Sequence, residues 1–163
     1  NGISEVTYGD KEPFAITGPG EYEKEGVTAQ GFLTKSQYGL AKGQSEAINT
    51  VYAVKLEGMT LVHLGALADT TLSLEAREAI DEIDVLFVPV GGDGVLDPAE
   101  AAKLATFLEP KIIIPMHWSG MGEKDALDTF IKAAGGESEK MDKLTLKKKD
   151  AAEKDGAIIV VTP

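Results

Sequence analysis

Two histidines are the residues of this chain most suited to bind a metal or a ligand, and each closes an apolar run. His63 lies at the end of Thr60–Leu64, and His117 directly follows Lys111–Met116. Ligands in layered α/β folds gather at the carboxyl ends of strands, so this placement indicates a metal or ligand site at one sheet edge. The alternative is structural, with each imidazole a hydrogen-bonded polar group, because zinc requires three or four ligands.

Other chemistry has weaker support. Cysteine is absent, which excludes disulfides, thiolate metal sites and cysteine nucleophiles. No serine lies in a G-x-S-x-G turn, the arrangement expected of an α/β-hydrolase nucleophile. The glycine-rich stretch Val90–Gly94 lacks the lysine of a P-loop and the spacing of a dinucleotide-binding motif. We therefore expect this stretch to shape the backbone after a strand.

Short apolar runs rich in β-branched residues predict the strands that position the two histidines. Glu57-Gly58 between two of the runs predicts a tight hairpin turn, and Gly18–Tyr22 also predicts a turn. The first four runs follow one another without a helix, which indicates an antiparallel meander. The predicted strands are Phe14–Thr17, Val27–Leu33, Thr50–Leu56, Thr60–Leu64, Val85–Val90, Lys111–Met116, Leu144–Leu146 and Ala157–Thr162.

Three helices are predicted between the later strands. The first covers 73–82, with Ser73 as its N-cap. The second begins at Asp97-Pro98, where Asp97 caps and Pro98 suits the first turn, and the third runs from Lys124 to Ala134. The order of elements predicts one α/β domain over residues 1–163, with one layer of helices on a sheet.

Composition narrows the classes of partner. A net charge of −11 disfavours nucleic acid, because binding to phosphates relies on Lys and Arg. The basic run Lys147–Lys149 is followed by Asp150, Glu153 and Asp155, so we expect a solvated turn there. No apolar run approaches the ~18 residues that span a bilayer. These features favour a cytoplasmic protein without a membrane partner.

Five stretches, in this order, resemble one family. They are Pro13–Glu23 with its G-P-G-E-Y sequence, Asn49–Tyr52, His63-Leu64-Gly65, Val85–Gly92 and Glu109–His117. In combination they resemble the bacterial metallo-β-lactamase-fold proteins related to the ascorbate-6-phosphate lactonase group. The resemblance implies an αββα sandwich, of which this chain supplies the C-terminal half. Asn1–Val6 is similar to the segment that follows the family's H-x-H-x-D-H motif, which this chain does not contain.

The same resemblance implies a two-metal site that this chain keeps only in part. His117 matches the family's last histidine ligand, but Ala66 stands where the family has its bridging aspartate, and the region around Gln37 has no histidine. Asp69 is a candidate substitute ligand. The other pocket candidates are His63, Gln37 and Trp118. The expected cofactor is zinc or manganese, with a protein that binds no metal as the alternative.

Three functions follow as hypotheses. The first is a hydrolase-like protein with a degenerate metal site, whose relatives cleave an ester, lactone or phosphoester with a metal-bound water. The second is a non-catalytic binding or structural module. Under both, half a sandwich exposes an apolar sheet face, so we expect a missing N-terminal segment, a complementary chain or a homo-oligomer to cover it. The third is an ordinary α/β domain with a self-sufficient sheet.

Overall fold

The computed structural model describes residues 13–40, 44, 47–120 and 122–162. These residues form one eight-stranded sheet in the order β1-β2-β3-β4-β5-β6-β8-β7. The pairings β1–β2, β2–β3 and β3–β4 are antiparallel, and the pairings β4–β5, β5–β6, β6–β8 and β8–β7 are parallel. The strands are Gly20–Lys24, Val27–Ser36, Ala47–Leu56, Met59–His63, Val85–Pro89, Ile112–Met116, Glu139–Met141 and Ala157–Val161, numbered β1 to β8 in chain order.

Helices α1 to α3 cover one face of this sheet. They span Leu74–Ala79, Pro98–Leu108 and Ala126–Ala133. As predicted, the Ser73 hydroxyl accepts a hydrogen bond from Ala76 N at 3.1 Å, and the Asp97 carboxylate accepts one from Ala99 N at 2.9 Å. The core beneath these helices contains Val62, Leu86, Leu104, Ile113, Phe130 and Ile158, among others. No helix of the described residues is long and apolar enough to cross a bilayer.

The prediction of a single helical layer was wrong, because α4 (Lys148–Ala152) lies on the other face of the sheet. Ala151 of α4 packs there against Val85, Ile112 and Ile159, which alternate along their strands with residues of the first core. The solvated turn predicted at Lys147–Lys149 was therefore wrong also. Lys148 begins this helix, and its ammonium group is bonded to the buried Asp84.

Two predicted strands are absent from the described part of the chain. Phe14–Thr17 is irregular, and the first strand is instead β1, in the G-E-Y-E-K stretch where a turn was expected at its start. Its polar residues suit a sheet edge, and Tyr22 Oη donates to Gly18 O at 3.0 Å. Leu144–Leu146 packs on the second cluster without a strand partner, while the unpredicted β7 pairs with β8. The antiparallel meander is confirmed, with β1 as its first strand.

Part of the second face is uncovered near the end of β2 and the start of β3. Ile48 on β3 is 80% exposed, and Leu33 on β2 is 60% exposed. Lys35 pairs with Ile48, and Leu33 pairs with Thr50, which puts these side chains on the face opposite α1–α3. Leu33 and Ile48 are therefore diagonal neighbours on this exposed part of the sheet.

Candidate functional site

The candidate site lies at one edge of the sheet, here called the site edge, where β3 begins and β2, β4, β5 and β6 end. Because β3 runs antiparallel to β2 and β4, its start lies beside the last residues of both of these strands. The parallel strands β4, β5 and β6 then bring their carboxyl ends to this same edge. The fold therefore gathers His63, His117 and the turn that contains Ala66 at one edge, as the sequence predicted.

His117 occupies an unusual backbone conformation just after β6. Its φ of +58° lies in the left-handed region, which only a few per cent of non-glycine residues adopt. Gly91 makes this placement sterically possible, since a Cβ at position 91 would collide with the carbonyl oxygen of His117. The prediction that Val90–Gly94 shapes the backbone is confirmed at this contact.

The imidazole of His117 is partly buried against an aromatic ring. Its ring centroid lies 5.2 Å from that of Tyr38, with the planes at 45°. Burial lowers the pKa of His117. Its Nδ1 atom is buried and has no hydrogen-bond partner among the described residues. A buried ring nitrogen in that condition costs about 1–3 kcal/mol, so this atom marks a place where a partner would be stabilising.

His63 lies close to His117 but is held differently. Its Nδ1 accepts a hydrogen bond from Gly65 N at 3.1 Å, and its ring lies 5.6 Å from that of Phe87. The imidazole is exposed on one side, yet burial of the rest lowers its pKa, and the charge on His117 lowers the pKa further. For both rings the lowered pKa favours the neutral form, which is the form in which imidazole binds metals.

The turn that follows His63 is hydrogen-bonded to Asn49, which was not among the site residues predicted from the sequence. Asn49 is 9% exposed at the start of β3, and its Nδ2 donates to Leu64 O at 2.9 Å and to Thr34 Oγ1 at 2.8 Å. Its Oδ1 accepts from Ala66 N at 2.9 Å. The available signal was an asparagine directly before the predicted strand Thr50–Leu56, where burial would require hydrogen-bond partners for its amide.

The remaining sequence candidates have other contacts. The exposed Asp69 accepts a hydrogen bond from Thr71 N at 2.7 Å, which lowers its pKa. Trp118 donates through Nε1 to Pro115 O at 3.1 Å and packs on the first core. Gln37 is exposed, and its backbone N–H donates to Gly94 O at 3.1 Å. Their predicted roles at a ligand stay predictions.

The side chains of the candidate site supply few of the donors that the metal site of this fold requires. Within the described ranges, no group of three or more His, Asp or Glu side chains is arranged to hold an ion. Position 66 offers a methyl group in the turn where a bridging carboxylate is expected. The buried Nδ1 of His117 could bind one ion or one hydrogen-bond donor, but the described residues do not supply the ligands of a paired metal centre.

At the opposite edge, Asp84 precedes β5 with its side chain fully buried. It accepts hydrogen bonds from Lys111 Nζ at 2.9 Å, from Lys148 Nζ at 2.8 Å and from Thr60 N at 2.8 Å. Burial raises the pKa of this carboxyl, but the bonds from Lys148, Lys111 and Thr60 outweigh it, and the net pKa is lowered. This cluster joins α4 to the sheet and lies away from the candidate site.

Comparison with known proteins agrees with the geometry. The family model described as the beta-lactamase superfamily domain matches residues 5–117. A metal-dependent hydrolase of Thermococcus kodakarensis is 38% identical over 71 residues, which cover 42% of this chain and 30% of that protein. Another, of Alkaliphilus metalliredigens, is 33% identical over 69 residues, with coverage of 42% and 30%. The chain thus spans about 30% of the length of these relatives.

Two solved structures share the fold. A structure from Thermotoga maritima, described as a candidate Zn-dependent hydrolase of the metallo-β-lactamase superfamily, has a TM-score of 0.69 and 32% identity. The similarity covers 90% of this chain and 72% of that one. The metallo-β-lactamase fold protein YhfI of Bacillus subtilis has a TM-score of 0.56 and 12% identity, over 98% of this chain and 57% of its own.

Proposed function

The chain belongs to the β-lactamase superfamily domain family, and we propose that it is the C-terminal half of a hydrolase-like protein with a degenerate metal site. The observation that carries the proposal is Ala66. Its backbone N–H is bonded to Asn49, and its side chain is a methyl group. In a two-metal site a bridging carboxylate holds both ions and offsets their charge, and alanine supplies neither contact nor charge.

The proposed degeneracy concerns the ordinary paired arrangement. By resemblance His117 matches a family ligand, and its buried Nδ1 has no hydrogen-bond partner among the described residues, which supports a role in binding a ligand. A single ion, zinc or manganese, would need further ligands from outside the described residues. The substrate class that accompanies the resemblance is an ester, lactone or phosphoester, and family membership goes no further than that.

A second candidate function is a non-catalytic module that pairs through its open sheet face. The exposed Leu33 and Ile48 favour it, because exposed apolar side chains on adjacent strands cost solvation free energy unless a partner covers them. The occupant that we propose is an N-terminal half, on the same polypeptide or a separate chain. A second copy of this chain is the alternative occupant.

Metal analysis of the full-length natural polypeptide tests the first proposal. We expect fewer than two ions per chain after purification with zinc or manganese present. In parallel, Ala66→Asp should raise the bound metal and Ala66→Asn should not, because asparagine has nearly the same shape without the charge. Two ions per wild-type chain at adjacent positions would refute the degenerate site.

A substitution on the open face tests the module. Ile48→Glu places a charge on the apolar face, so it should weaken assembly with the N-terminal half at least tenfold in a binding or sedimentation measurement. Phe107→Glu is the matched control, since Phe107 is 69% exposed on α2, on the helical side of the sheet. Equal effects of the two substitutions, or none from either, would count against this face as the interface.

A further inference from the structure

We propose that Asn49 is a positioning residue that fixes the Leu64–Ala66 turn and, through Gly65, holds His63 with its proton on Nε2. The inference concerns hydrogen bonds within this chain and goes beyond the proposed function. It does not depend on whether a metal binds. Its consequence is that the candidate site keeps an oriented neutral donor although the bridging carboxylate is absent.

The first step is the Asn49 amide, whose two ends face opposite kinds of group. Its nitrogen donates to Leu64 O, and its oxygen accepts from Ala66 N. A flipped amide would bring its oxygen against the Leu64 carbonyl and its NH₂ against the Ala66 N–H, so both bonds would be lost. The amide thus has one satisfied orientation, and in it Asn49 bonds to the turn on both sides of Gly65.

The second step is the shape of the turn. Gly65 has a φ of +63°, and a Cβ there would collide with Asn49 Oδ1. Glycine adopts this conformation at little cost but also has more alternatives than any other residue. The turn therefore needs outside contacts to stay in one conformation, and the two bonds to Asn49 supply them.

The third step is the link from the turn to the imidazole. Gly65 N donates to His63 Nδ1 at 3.1 Å. A ring nitrogen that accepts a hydrogen bond carries no proton, so the neutral ring has its proton on Nε2. Nε2 makes no hydrogen bond to another described residue, which leaves its N–H available to an acceptor oxygen of a bound molecule.

The tautomer of His63 is measurable without any variant. Long-range ¹H–¹⁵N correlation spectra of ¹⁵N-labelled protein at pH 8, above the ordinary histidine pKa of about 6.5, distinguish protonated from unprotonated ring nitrogens. We expect a single species with its proton on Nε2. A wild-type spectrum with the proton on Nδ1, or with both tautomers mixed, would overturn the inference.

Asn49→Ala tests the first link, and Thr34→Val is its matched control. Asn49→Ala removes both bonds to the turn, so the Ala66 amide should exchange with solvent about fivefold faster and the His63 spectrum should show mixed tautomers. Thr34→Val removes the Asn49–Thr34 bond alone and should leave both readouts unchanged.

Three outcomes of these variants would overturn the role of Asn49. In the first, Asn49→Ala leaves the His63 spectrum and the Ala66 exchange as in the wild type. In the second, Thr34→Val changes both as strongly as Asn49→Ala, which indicates general loosening of the strand ends. In the third, the wild-type spectrum shows His63 with its proton on Nδ1. This measurement needs no variant, so it remains a test even if Asn49→Ala does not fold. Metal content is measured separately, so failure here is distinct from failure of the degenerate site.

Discussion

Asp84→Asn removes the charge from a fully buried carboxylate that bonds to two ammonium groups and one backbone amide. Loss of one partner from a buried ion pair costs roughly 3–5 kcal/mol. The lysines keep contact with water, since the side chain of Lys111 is 26% exposed and that of Lys148 is 42% exposed. We therefore expect the lower end, about 3 kcal/mol, or about 9 °C in Tm for a chain of this size.

The pH dependence of this loss has a definite sign. The pKa of Asp84 is lowered in the folded protein, so folding favours the ionised form. Its contribution is complete above the unfolded pKa of about 3.9 and disappears as the pH falls through the still lower folded pKa. Chemical denaturation of wild type and Asp84→Asn should thus differ fully at pH 7, and the difference should shrink only in that acid range.

Lys148→Met is the comparison that isolates one contact. It leaves Asp84 with Lys111 and Thr60, and Lys148 is partly exposed, so the expected loss is about 1 kcal/mol or less. The contact between α4 and the sheet should nevertheless weaken, with faster amide exchange around Ala151.

The result for Asp84→Asn can refute the stabilising role of the cluster. On the scale of about 3 °C per kcal/mol, a Tm within 2 °C of the wild type at pH 7 would mean that the cluster does not stabilise the fold as argued.

Three further substitutions have expected stability losses that denaturant titration can check. Gly91→Ala should cost about 2 kcal/mol and shift the His117 resonances, because its methyl group collides with the His117 carbonyl; unchanged resonances would contradict the contact. Ser73→Ala should cost about 1 kcal/mol through loss of the cap to Ala76, and a loss below 0.3 kcal/mol would contradict that cap. Phe130→Ala should cost about 4 kcal/mol, since its ring is fully buried; a loss under 1 kcal/mol would mean that the cavity collapses.

Much of the fold could be predicted because its signals are local. Asp97-Pro98 combines a side-chain acceptor with a residue suited to the first helical turn, and α2 begins at Pro98. The central strands are short apolar runs bounded by turn residues, and their ends differ from the prediction by a few residues. Periodicity and capping depend on neighbours in sequence, so one sequence is enough to read them.

The secondary-structure predictions were wrong where a contact with a residue distant in sequence determines the local structure. β1 is polar, and it forms a strand because β2 offers it a ladder of hydrogen bonds. The basic run at Lys148 becomes helical as its ammonium group reaches Asp84, which lies 64 residues earlier. Neither partner is visible in the local pattern, and tertiary contacts routinely override local preference.

The candidate site also has residues that the sequence predicts and a residue that only the tertiary contacts identify. The sequence predicted that both histidines follow strands, and the structure has them at the same edge of the sheet because parallel strands align their carboxyl ends. The role of Asn49 required knowledge that Thr34, Leu64 and Ala66 surround it, and this follows only from the register of β2, β3 and β4. A buried amide predicts that partners exist, but it does not identify them.

The sheet separates the two polar clusters, which gives a last prediction. Asp84 precedes β5 at one edge, and Asn49 lies at the edge where β5 ends, about 17 Å away for a strand of five residues. Substitutions that far apart with no shared partner add within roughly 0.5 kcal/mol. Asp84→Asn should therefore leave the His63 tautomer unchanged, and the double variant with Asn49→Ala should lose the sum of the two single losses. A coupling above about 1 kcal/mol would show that the strands transmit strain between the edges, and the site could then not be treated apart from the cluster that stabilises the fold.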